Sequence, residues 1–257
     1  MPVLSLDTTT RAGSVALVID GRVVEERSGD ASRTHAERLP AEMIALLAAH
    51  GRTLADIDLF AVASGPGSFT GLRIGTATIQ GAAFVHHRPV VAVSALEALA
   101  HAGSANARQG EMVGAWIDAH RHDVFSALYR VAGAEPFAPD RLVEIEGPRV
   151  GAPAATLARW RPNLTGRSLA IVGDGAVLYA DVIAAEAEST GPAARVLEPT
   201  PQLAGTIALM ALRLAKIGAA VEAAGIRPLY VRRPDAEIDR ERKNVQHQGH
   251  KGHEGTA

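Results

Sequence analysis

The sequence predicts an α/β protein with two lobes, each built from a mixed sheet and helices. Two observations support this prediction. An apolar strand that ends in an aspartate occurs twice, at Val3–Asp7 and at Met112–Asp118, and each time a second strand follows. Strands and helices then alternate along the first half, which is typical of mixed α/β domains. With 257 residues, 47% of them apolar, the chain is long enough to bury two cores.

The first lobe is predicted over residues 1–101 and opens with a strand and a hairpin. The hairpin is indicated by Asp20-Gly21, because both residues readily take the left-handed backbone that a two-residue hairpin turn needs. This dipeptide joins the second strand to the third. The strands predicted for this lobe are Val3–Asp7, Ser14–Ile19, Arg22–Arg27, Leu59–Ala63 and Pro89–Val93.

Two helices are predicted in the same lobe. Thr34 and Glu37 have the spacing of a capping box, which predicts a helix from there to about His50. Pro40 either kinks this helix or marks its first turn. The apolar face of the first helix is predicted to be Leu39, Met43, Leu46 and Leu47, and the second helix is predicted to span Phe69–Val85.

A glycine turn at Ser64–Ser68 joins a strand to the second helix and is the most distinctive stretch of the chain. Free backbone N–H groups at such a helix start can form an anion cradle. The stretch lacks the Gly-Lys-Ser/Thr ending of a phosphate-binding P-loop. The helix then carries small residues on one face, which allow another backbone to approach closely; that backbone belongs either to the protein's own sheet or to a partner. These small residues are Gly71, Gly75, Thr78 and Ala82.

The second lobe is predicted over residues 102–231, after a small and polar link near 102–109. A long alanine-rich helix is predicted over Thr206–Ala224. The stretch 232–257 is charged and has almost no large apolar residues, so we expect it to be disordered. The strands predicted for this lobe are Met112–Asp118, Val124–Arg130 and Leu169–Val172.

Composition excludes several classes of protein. The net charge of −2 does not favour a nucleic-acid-binding surface, and the absence of cysteine excludes disulfides and thiolate catalysis. The N-terminus has no signal-peptide pattern, and no apolar run approaches the roughly 20 residues that span a bilayer. We therefore expect a cytoplasmic protein without a membrane segment.

Two predicted loops could contact a metal-bound phosphate. Asp7 with Thr10 follows the first strand, and Asp118 follows the corresponding strand of the second lobe. In each loop a bulky residue, Thr9 or His120, stands where a phosphate loop would need glycine for close backbone approach. The alternative is that these aspartates and threonines cap their own turns through side chain–backbone bonds.

Three other groups of polar or glycine residues have a structural interpretation beside the functional one. Gly173-Asp174-Gly175 either covers an adenine ring or forms a tight strand-to-helix turn. His120, His122 and Asp123 place only two ligands on one face of an extended strand, so no metal site is predicted there. His35 and Glu37 suggest acid–base chemistry, but their positions fit the first turn of a capped helix better.

These motifs resemble those of the TsaB (YeaZ) family, the partner of TsaD in bacterial synthesis of N6-threonylcarbamoyladenosine in tRNA. The resemblance covers nearly the whole chain, and its glycine-turn motif is highly specific. The matching stretches are Leu4–Thr10, Ser14–Leu17, Thr34–Leu39, Gly65–Gly75, Asp118-Ala119 and Pro228–Arg232.

The resemblance implies a fold, a set of partner proteins and the subunit that binds each cofactor. The fold would be the two-lobed actin-like fold shared with sugar kinases and Hsp70. The chain would form a heterodimer with TsaD, joined by the ATPase TsaE, and would pair with itself when alone. TsaD would hold ATP and the metal, this chain would bind no cofactor or metal, and tRNA would be reached only through the complex.

The resemblance also separates this chain from its catalytic relative. Where TsaD has a metal-binding His-Met-Glu-Gly-His motif, the aligned stretch here is Ala95–Leu99, in which only Glu97 could ligate a metal. We therefore expect a non-enzymatic subunit with a degenerate nucleotide site. The residues of that site are predicted to be Asp7, Thr10, Asp118, Gly173 and Gly175.

The predicted function is to dimerise with and activate TsaD, together with TsaE, for modification of the adenosine next to the anticodon. The alternative is an actin-like phosphotransferase or weak ATPase; the older glycoprotease label has no support from a cysteine, a zinc-helix motif or a nucleophile elbow. The partner surface is predicted on the two first-lobe helices. Its residues are predicted to be His35, Leu39, Met43, Phe69, Leu72, Arg73, Gly75, Thr78 and Ala82.

Overall fold

The computed structural model describes residues 1–190 and 194–232. Of the tail predicted over residues 232–257, only Arg232 is described, and it bonds to Ala119 and Asp123, which corrects the expectation of disorder at that residue. Residues 233–257, with three histidines, lie outside the described residues. The described chain forms two five-stranded sheets. The first sheet contains β1 (Pro2–Asp7), β2 (Ser14–Ile19), β3 (Arg22–Ser28), β4 (Leu59–Gly65) and β5 (Val90–Ser94). The second sheet contains β6 (Met112–Asp118), β7 (Val124–Val131), β8 (Leu142–Gly151), β9 (Leu169–Val172) and β10 (Ala194–Leu197).

The two sheets have the same topology. The strand order is β3-β2-β1-β4-β5 in the first sheet and β8-β7-β6-β9-β10 in the second. In each sheet the opening strand pairs antiparallel with its hairpin partner and parallel with the strand on its other side. The internal repeat predicted from the two strand–aspartate openings is therefore confirmed.

Seven α-helices lie in the described part of the chain. They are α1 (His35–Ala49), α2 (Phe69–Val85), α3 (Ala95–Gly103), α4 (Pro153–Trp160), α5 (Asp174–Leu178), α6 (Ala180–Thr190) and α7 (Ala204–Lys216). Short 3₁₀ turns occur at Leu54–Asp56, Arg161–Asn163 and Ala223–Gly225. Within the described ranges, no helix is both long and apolar enough to span a bilayer.

The first sheet is covered on both faces. Alternate residues of a strand point to opposite faces, so Leu4 and Leu6 of β1 pack toward α1 and α2, whereas Val3 packs toward α7. Burial on both faces explains why β1 and β4 read as nearly continuous apolar runs. The outer face of the second sheet packs against α4, and Trp160 of that helix is buried beside Trp116 of β6.

Two helices lie between the sheets, and each packs on the sheet that the other half of the sequence forms. Helix α3 comes from the first half but packs on β6, β7 and β9 of the second sheet. Helix α7 comes from the second half but packs on β1, β2 and β4 of the first sheet. The two helices also contact each other, so one apolar core joins both sheets. The boundary between residues 101 and 102 stays a prediction.

Most predicted elements of the first lobe are confirmed. The β2–β3 turn has left-handed backbone at Asp20, with φ of 51°, and at Gly21, with φ of 76°. The capping box forms, because the Glu37 carboxylate accepts from the backbone N–H of Thr34 at 2.8 Å. Helix α1 begins at His35, so Pro40 lies inside the helix and does not mark its first turn.

Two predictions about helices are wrong or incomplete. The alanine-rich helix ends at Lys216 instead of Ala224, because Gly218 takes φ of 83° and Val221 then pairs with Val90 at the edge of β5. Such an α_L residue just after the last turn is a common helix stop. Helix α3 was not predicted; Ser94 caps it, since its hydroxyl accepts from the backbone N–H of Glu97 at 3.4 Å.

Candidate functional site: the cleft between the two hairpin loops

A cleft of about 950 Å³ lies between loops of the two sheets. One side is formed by the β1–β2 loop, the loop before α1 and the start of α2. The other side is formed by the loop after β6 and by Asp174, and the chain segment 229–232 lies along the cleft. The lining residues that matter below are Thr10, His35, Phe69, Asp118, Tyr230 and Arg232.

Asp7 is a buried carboxyl group bonded within its own loop. Only 4% of the residue is exposed, and its Oδ1 accepts from the backbone N–H of Thr9 at 2.9 Å and from the hydroxyl of Thr9 at 2.7 Å. Burial raises the pKa of Asp7, although the two bonds from Thr9 oppose that shift. This geometry is the turn-capping arrangement that the sequence left open, and Asp7 does not line the cleft.

Two of the four residues in the small-residue stripe of α2, Gly71 and Gly75, pack against the protein's own β1–β2 loop. A Cβ atom on Gly71 would lie 2.2 Å from the carbonyl oxygen of Thr8, and one on Gly75 would lie 2.3 Å from the hydroxyl oxygen of Thr8. The preceding turn follows the same loop, since Ser68 donates its N–H to the carbonyl oxygen of Thr9 at 2.8 Å. Gly71 and Gly75 therefore serve an internal backbone approach, and the alternative of a partner's helix at these two positions is wrong.

The loop after β6 is a tight turn. His120, Arg121 and His122 have φ values of 57°, 56° and 65°, so three successive residues take left-handed backbone. The sequence reasoning that treated this stretch as an extended strand is wrong for that reason. His120 is 84% exposed in its side chain, and its Nδ1 lies 3.1 Å from the carboxylate of Asp118. The backbone of this loop is one that glycine adopts most easily, but the loop contains no glycine.

Gly173 and Gly175 are required by packing at the start of α5. A Cβ on Gly173, which has φ of 122°, would lie 2.0 Å from the carbonyl oxygen of Trp116. The carboxylate of Asp174 accepts from the backbone N–H groups of Asp118 at 3.1 Å and of Gly175 at 2.8 Å. Burial raises the pKa of Asp174, as it does for Asp7. The tight turn accounts for both glycines, whereas a role over an adenine ring stays a prediction.

Arg38 organises the first side of the cleft, and sequence reasoning missed it. The residue is 1% exposed, and its guanidinium donates to Glu42 at 2.6 Å and to the carbonyl oxygens of Arg11 and Ala12. Gly29 lies directly against this guanidinium, so any side chain there would overlap it. Arg38 stands next to Leu39 of the predicted apolar face, and nothing in the local sequence indicated that Arg38 would be buried and bonded to the β1–β2 loop.

Several predicted partner residues are buried inside the chain. Leu39, Met43 and Leu72 are at most 2% exposed and pack in the protein's own core, and Gly75 lies against Thr8. In this structure they cannot act as exposed apolar anchors, which corrects that part of the prediction. The reason is that the first sheet needs an apolar cover, and α1 and α2 supply it with these side chains.

An uncharged surface remains on the outer faces of the same helices. Ile44 of α1 is 58% exposed, and Phe84 and Val85 of α2 are 73% and 68% exposed. The remaining exposed positions between them are mostly alanine or glycine. They include Ala41, Ala45, Ala48, Ala77 and Gly81. We call this set the α1–α2 face. Of the predicted partner residues, Arg73 is exposed, and Phe69, Thr78 and Ala82 are half-buried.

Within residues 1–190 and 194–232, no three His, Asp or Glu side chains come together in a way that could hold a metal ion. Glu97, the residue aligned with the metal-binding motif of the resembled transferase, lies at the start of α3. It is half-buried, and burial together with the nearby Glu144 raises its pKa.

Comparisons with known proteins relate the chain to proteins of tRNA threonylcarbamoyladenosine synthesis. The family model described as "TsaD: tRNA N6-adenosine threonylcarbamoyltransferase" matches residues 27–240. The tRNA threonylcarbamoyladenosine biosynthesis protein TsaB of Haemophilus influenzae is 40% identical over 125 residues, which is 49% of this chain and 52% of that protein. The match thus spans about half the length of this relative. An uncharacterized protein of Mycobacterium tuberculosis is 32% identical over 242 residues, covering 91% of this chain and 93% of that protein.

Solved structures give the same grouping. YeaZ from Pseudomonas aeruginosa superposes with a TM-score of 0.71 at 30% identity and covers 89% of this chain and 99% of its own. Component A of the (R)-2-hydroxyglutaryl-CoA dehydratase of Acidaminococcus fermentans superposes with a TM-score of 0.51 at 12% identity, covering 84% of this chain and 99% of its own. The second likeness concerns the fold alone.

Proposed function

The chain belongs to the TsaB (YeaZ) family, and we propose that it is the non-catalytic partner of a TsaD-type threonylcarbamoyltransferase. Its fold is the actin-like fold predicted from the sequence, with two mixed sheets flanked by helices. In the proposal the chain dimerises with TsaD and, together with TsaE, activates formation of N6-threonylcarbamoyladenosine at the adenosine next to the anticodon. TsaD holds ATP and metal, tRNA is reached through the complex, and the location is cytoplasmic.

The proposal is carried by one observation: the residues of the predicted nucleotide site make bonds and contacts within the chain itself. Asp7 accepts from Thr9, and Gly173 and Gly175 admit the backbone of β6. The loop after β6 has bulky residues at glycine-favouring positions, which keeps its N–H groups from approaching a phosphate closely. These internal contacts support a scaffold in which Asp7, Gly173 and Gly175 serve the chain's own packing and do not bind a triphosphate.

The α1–α2 face supports the choice of a protein partner. Large apolar side chains exposed on two helices that contact each other are a feature of interaction sites, and Ile44, Phe84 and Val85 are exposed in this way. Small residues such as Ala77 and Gly81 allow a second helix to approach, and Phe84 offers an aromatic anchor of the kind enriched at interface hot spots. We propose that TsaD occupies this face in the heterodimer and that a second copy of this chain occupies it when TsaD is absent.

The test mixes the purified chain with TsaD of the same organism and measures complex mass and modified tRNA, with and without TsaE. Wild type is expected to form a heterodimer and to be required for modification. Ile44→Glu combined with Phe84→Glu is expected to abolish the heterodimer and the homodimer. Leu178→Glu is the control, because Leu178 is an apolar residue on α5 with the same exposed fraction as Ile44, 58%. Equal complex formation by both variants would remove the α1–α2 face from the interface.

The second candidate is an actin-like phosphotransferase or weak ATPase. The observation that favours it is the cleft, into which loops of both sheets project and which Asp118 lines. Calorimetry of the isolated chain with ATP and magnesium distinguishes the two functions. Micromolar binding, or turnover of ATP by a preparation without TsaD, would favour the enzyme and contradict the accessory role.

A further inference from the structure

The chain segment Leu229–Arg232 crosses from one sheet to the other along the mouth of the cleft. Leu229 donates its backbone N–H to the carbonyl oxygen of Ser64 at 2.7 Å, which pins the segment to the end of β4. The approach is close enough to require glycine at Gly65, where a Cβ would lie 2.8 Å from the carbonyl oxygen of Leu229. We call Leu229–Arg232 the strap.

The far end of the strap is anchored on the second sheet. Arg232 donates to the carbonyl oxygen of Ala119 at 2.7 Å and forms an ion pair with Asp123. Its guanidinium also lies 5.9 Å from the ring centre of Phe125. Because both ends are fixed, the position of Tyr230 between them is set by the two sheets together.

Tyr230 completes an aromatic–arginine cluster on the first turns of α2. Its ring centre lies 4.9 Å from that of Phe69. The guanidinium carbon of Arg73 lies 3.9 Å from the ring centre of Phe69, and its Nε donates to the Tyr230 hydroxyl at 3.3 Å. The stacking on Phe69 and the bond from Nε restrict the orientation of the guanidinium before any ligand arrives.

Within residues 1–190 and 194–232, the two terminal nitrogens of Arg73 have no hydrogen-bond or ion-pair partner. Arg73 is exposed, and in the part of the chain that the structure describes no carboxylate lies within ion-pair distance of it. A planar fork of this kind fits a carboxylate or a phosphate with two parallel hydrogen bonds. Arginines that are pre-positioned and become buried on association are frequent hot spots of protein interfaces.

We infer that Arg73, positioned by Phe69 and by Tyr230 of the strap, binds a carboxylate on the TsaD-type partner. This inference rests on the proposed function and adds the chemistry of the contact and the positioning role of Tyr230. Arg73 continues the exposed stripe of α2 toward Ala77 and Gly81, so the fork adjoins the proposed interface. A phosphate is disfavoured because the Ser68 hydroxyl already accepts from the N–H of Gly71 at 3.2 Å, and because Asp118 and Asp174 line the neighbouring cleft.

The experiment measures the Kd of the complex with TsaD for wild type, Arg73→Met, Arg73→Lys and Tyr230→Phe. Arg73→Met is expected to weaken binding by at least about tenfold, and Arg73→Lys fails to restore it because an ammonium lacks the fork. Tyr230→Phe keeps the ring and is expected to weaken binding by about two- to fivefold. Arg213→Met is the control, since Arg213 is an exposed arginine on α7, on the opposite face of the first sheet.

A double-mutant cycle and a salt series separate positioning from general stability. Tyr230→Phe is expected to have no further effect in the Arg73→Met background, because it acts through Arg73. The difference between wild type and Arg73→Met is expected to shrink as salt is raised toward 1 M. Melting temperatures check that the variants are folded, and Tyr230→Phe alone keeps the test valid if Arg73→Met does not fold.

Three outcomes would overturn the inference, and they are distinguishable. If wild type binds TsaD and Arg73→Met binds equally well, the arginine contact is absent while the proposed function stands. If the isolated wild type binds inorganic phosphate and Arg73→Met does not, the ligand is a phosphate instead of a carboxylate. If wild type does not bind TsaD at all, the proposed function fails and the inference fails with it.

Discussion

A terminal guanidinium nitrogen of Arg38 lies 2.8 Å from Nδ1 of His35. Arginine can only donate, so Nδ1 accepts and the proton of the neutral ring is on Nε2. Nε2 in turn donates to the carbonyl oxygen of Thr10 at 3.0 Å. These two hydrogen bonds fix the tautomer of His35 and hold the β1–β2 loop at Thr10 against the start of α1. His35 therefore has a structural role in addition to its predicted place in the partner surface.

The first prediction concerns the titration of His35. Burial, together with Arg38, lowers the pKa of His35 from its usual 6.5. The neutral ring therefore contributes stability that is fully present above pH 6.5 and is lost as the pH falls toward the lowered pKa. Nitrogen–proton correlation spectra are expected to show the Nε2–H tautomer at pH 7 and a midpoint below 6.5. An Nδ1–H tautomer would contradict the assignment.

The second prediction compares two glycines of the same helix. Gly75→Ala is expected to lower the free energy of unfolding by about 1–3 kcal/mol, because its Cβ would overlap the Thr8 hydroxyl. Gly81→Ala is the matched control; its Cβ would meet no atom within 4 Å, and alanine should raise helix stability by up to about 1 kcal/mol. Urea unfolding measures both. Equal effects would mean that α2 does not lie against Thr8 in solution.

The contact between Gly75 and Thr8 makes a Gly75 variant unsuitable as a probe of the interface. A bulky residue at Gly75 is expected to displace the first loop, so a loss of TsaD binding would report a folding defect. Substitutions at exposed positions such as Phe84 test the α1–α2 face directly.

The third prediction concerns a buried histidine on α3. Burial, followed by the charge of Arg141, lowers the pKa of His101 from 6.5 to about 4. Its contribution to stability is expected to be complete above pH 6.5 and to fall by up to about 3 kcal/mol between pH 6.5 and pH 4. The measurement is the free energy of unfolding against pH for wild type and His101→Phe. The two curves should converge or cross as the pH falls; parallel curves would assign the acid sensitivity to other groups.

The fourth prediction tests whether Asp7 has lost a catalytic role. Burial raises the pKa of Asp7 from 3.8, so stability that is present below pH 3.8 is lost as the pH rises through the raised pKa. Asp7→Asn keeps an oxygen that can accept from Thr9 and removes the charge. It is expected to increase stability at pH 7 by about 1 kcal/mol and to leave tRNA modification with TsaD unchanged. A large loss of modification by a folded Asp7→Asn protein would favour the enzyme alternative.

Local signals predicted the elements whose stabilising contacts are close in sequence. The β2–β3 hairpin depends on two turn residues, and α1 on a capping pair three residues apart, so both could be located from the sequence alone. Helix α7 shows the limit of such signals. Alanine-rich sequence continues past Lys216, but pairing of Val221 with Val90 competes with helix propensity and wins.

The sequence by itself determined the repeated strand–aspartate–hairpin opening, helices α1 and α2, and the family, because these depend on short-range patterns. Only the tertiary structure decided that Gly71 and Gly75 face Thr8, that α3 and α7 cross between the sheets, and that Tyr230 reaches Arg73 over an interval of 157 residues. A pattern of small or apolar residues predicts that another segment can pack closely against a helix. Which segment does so depends on how distant parts of the chain fold together.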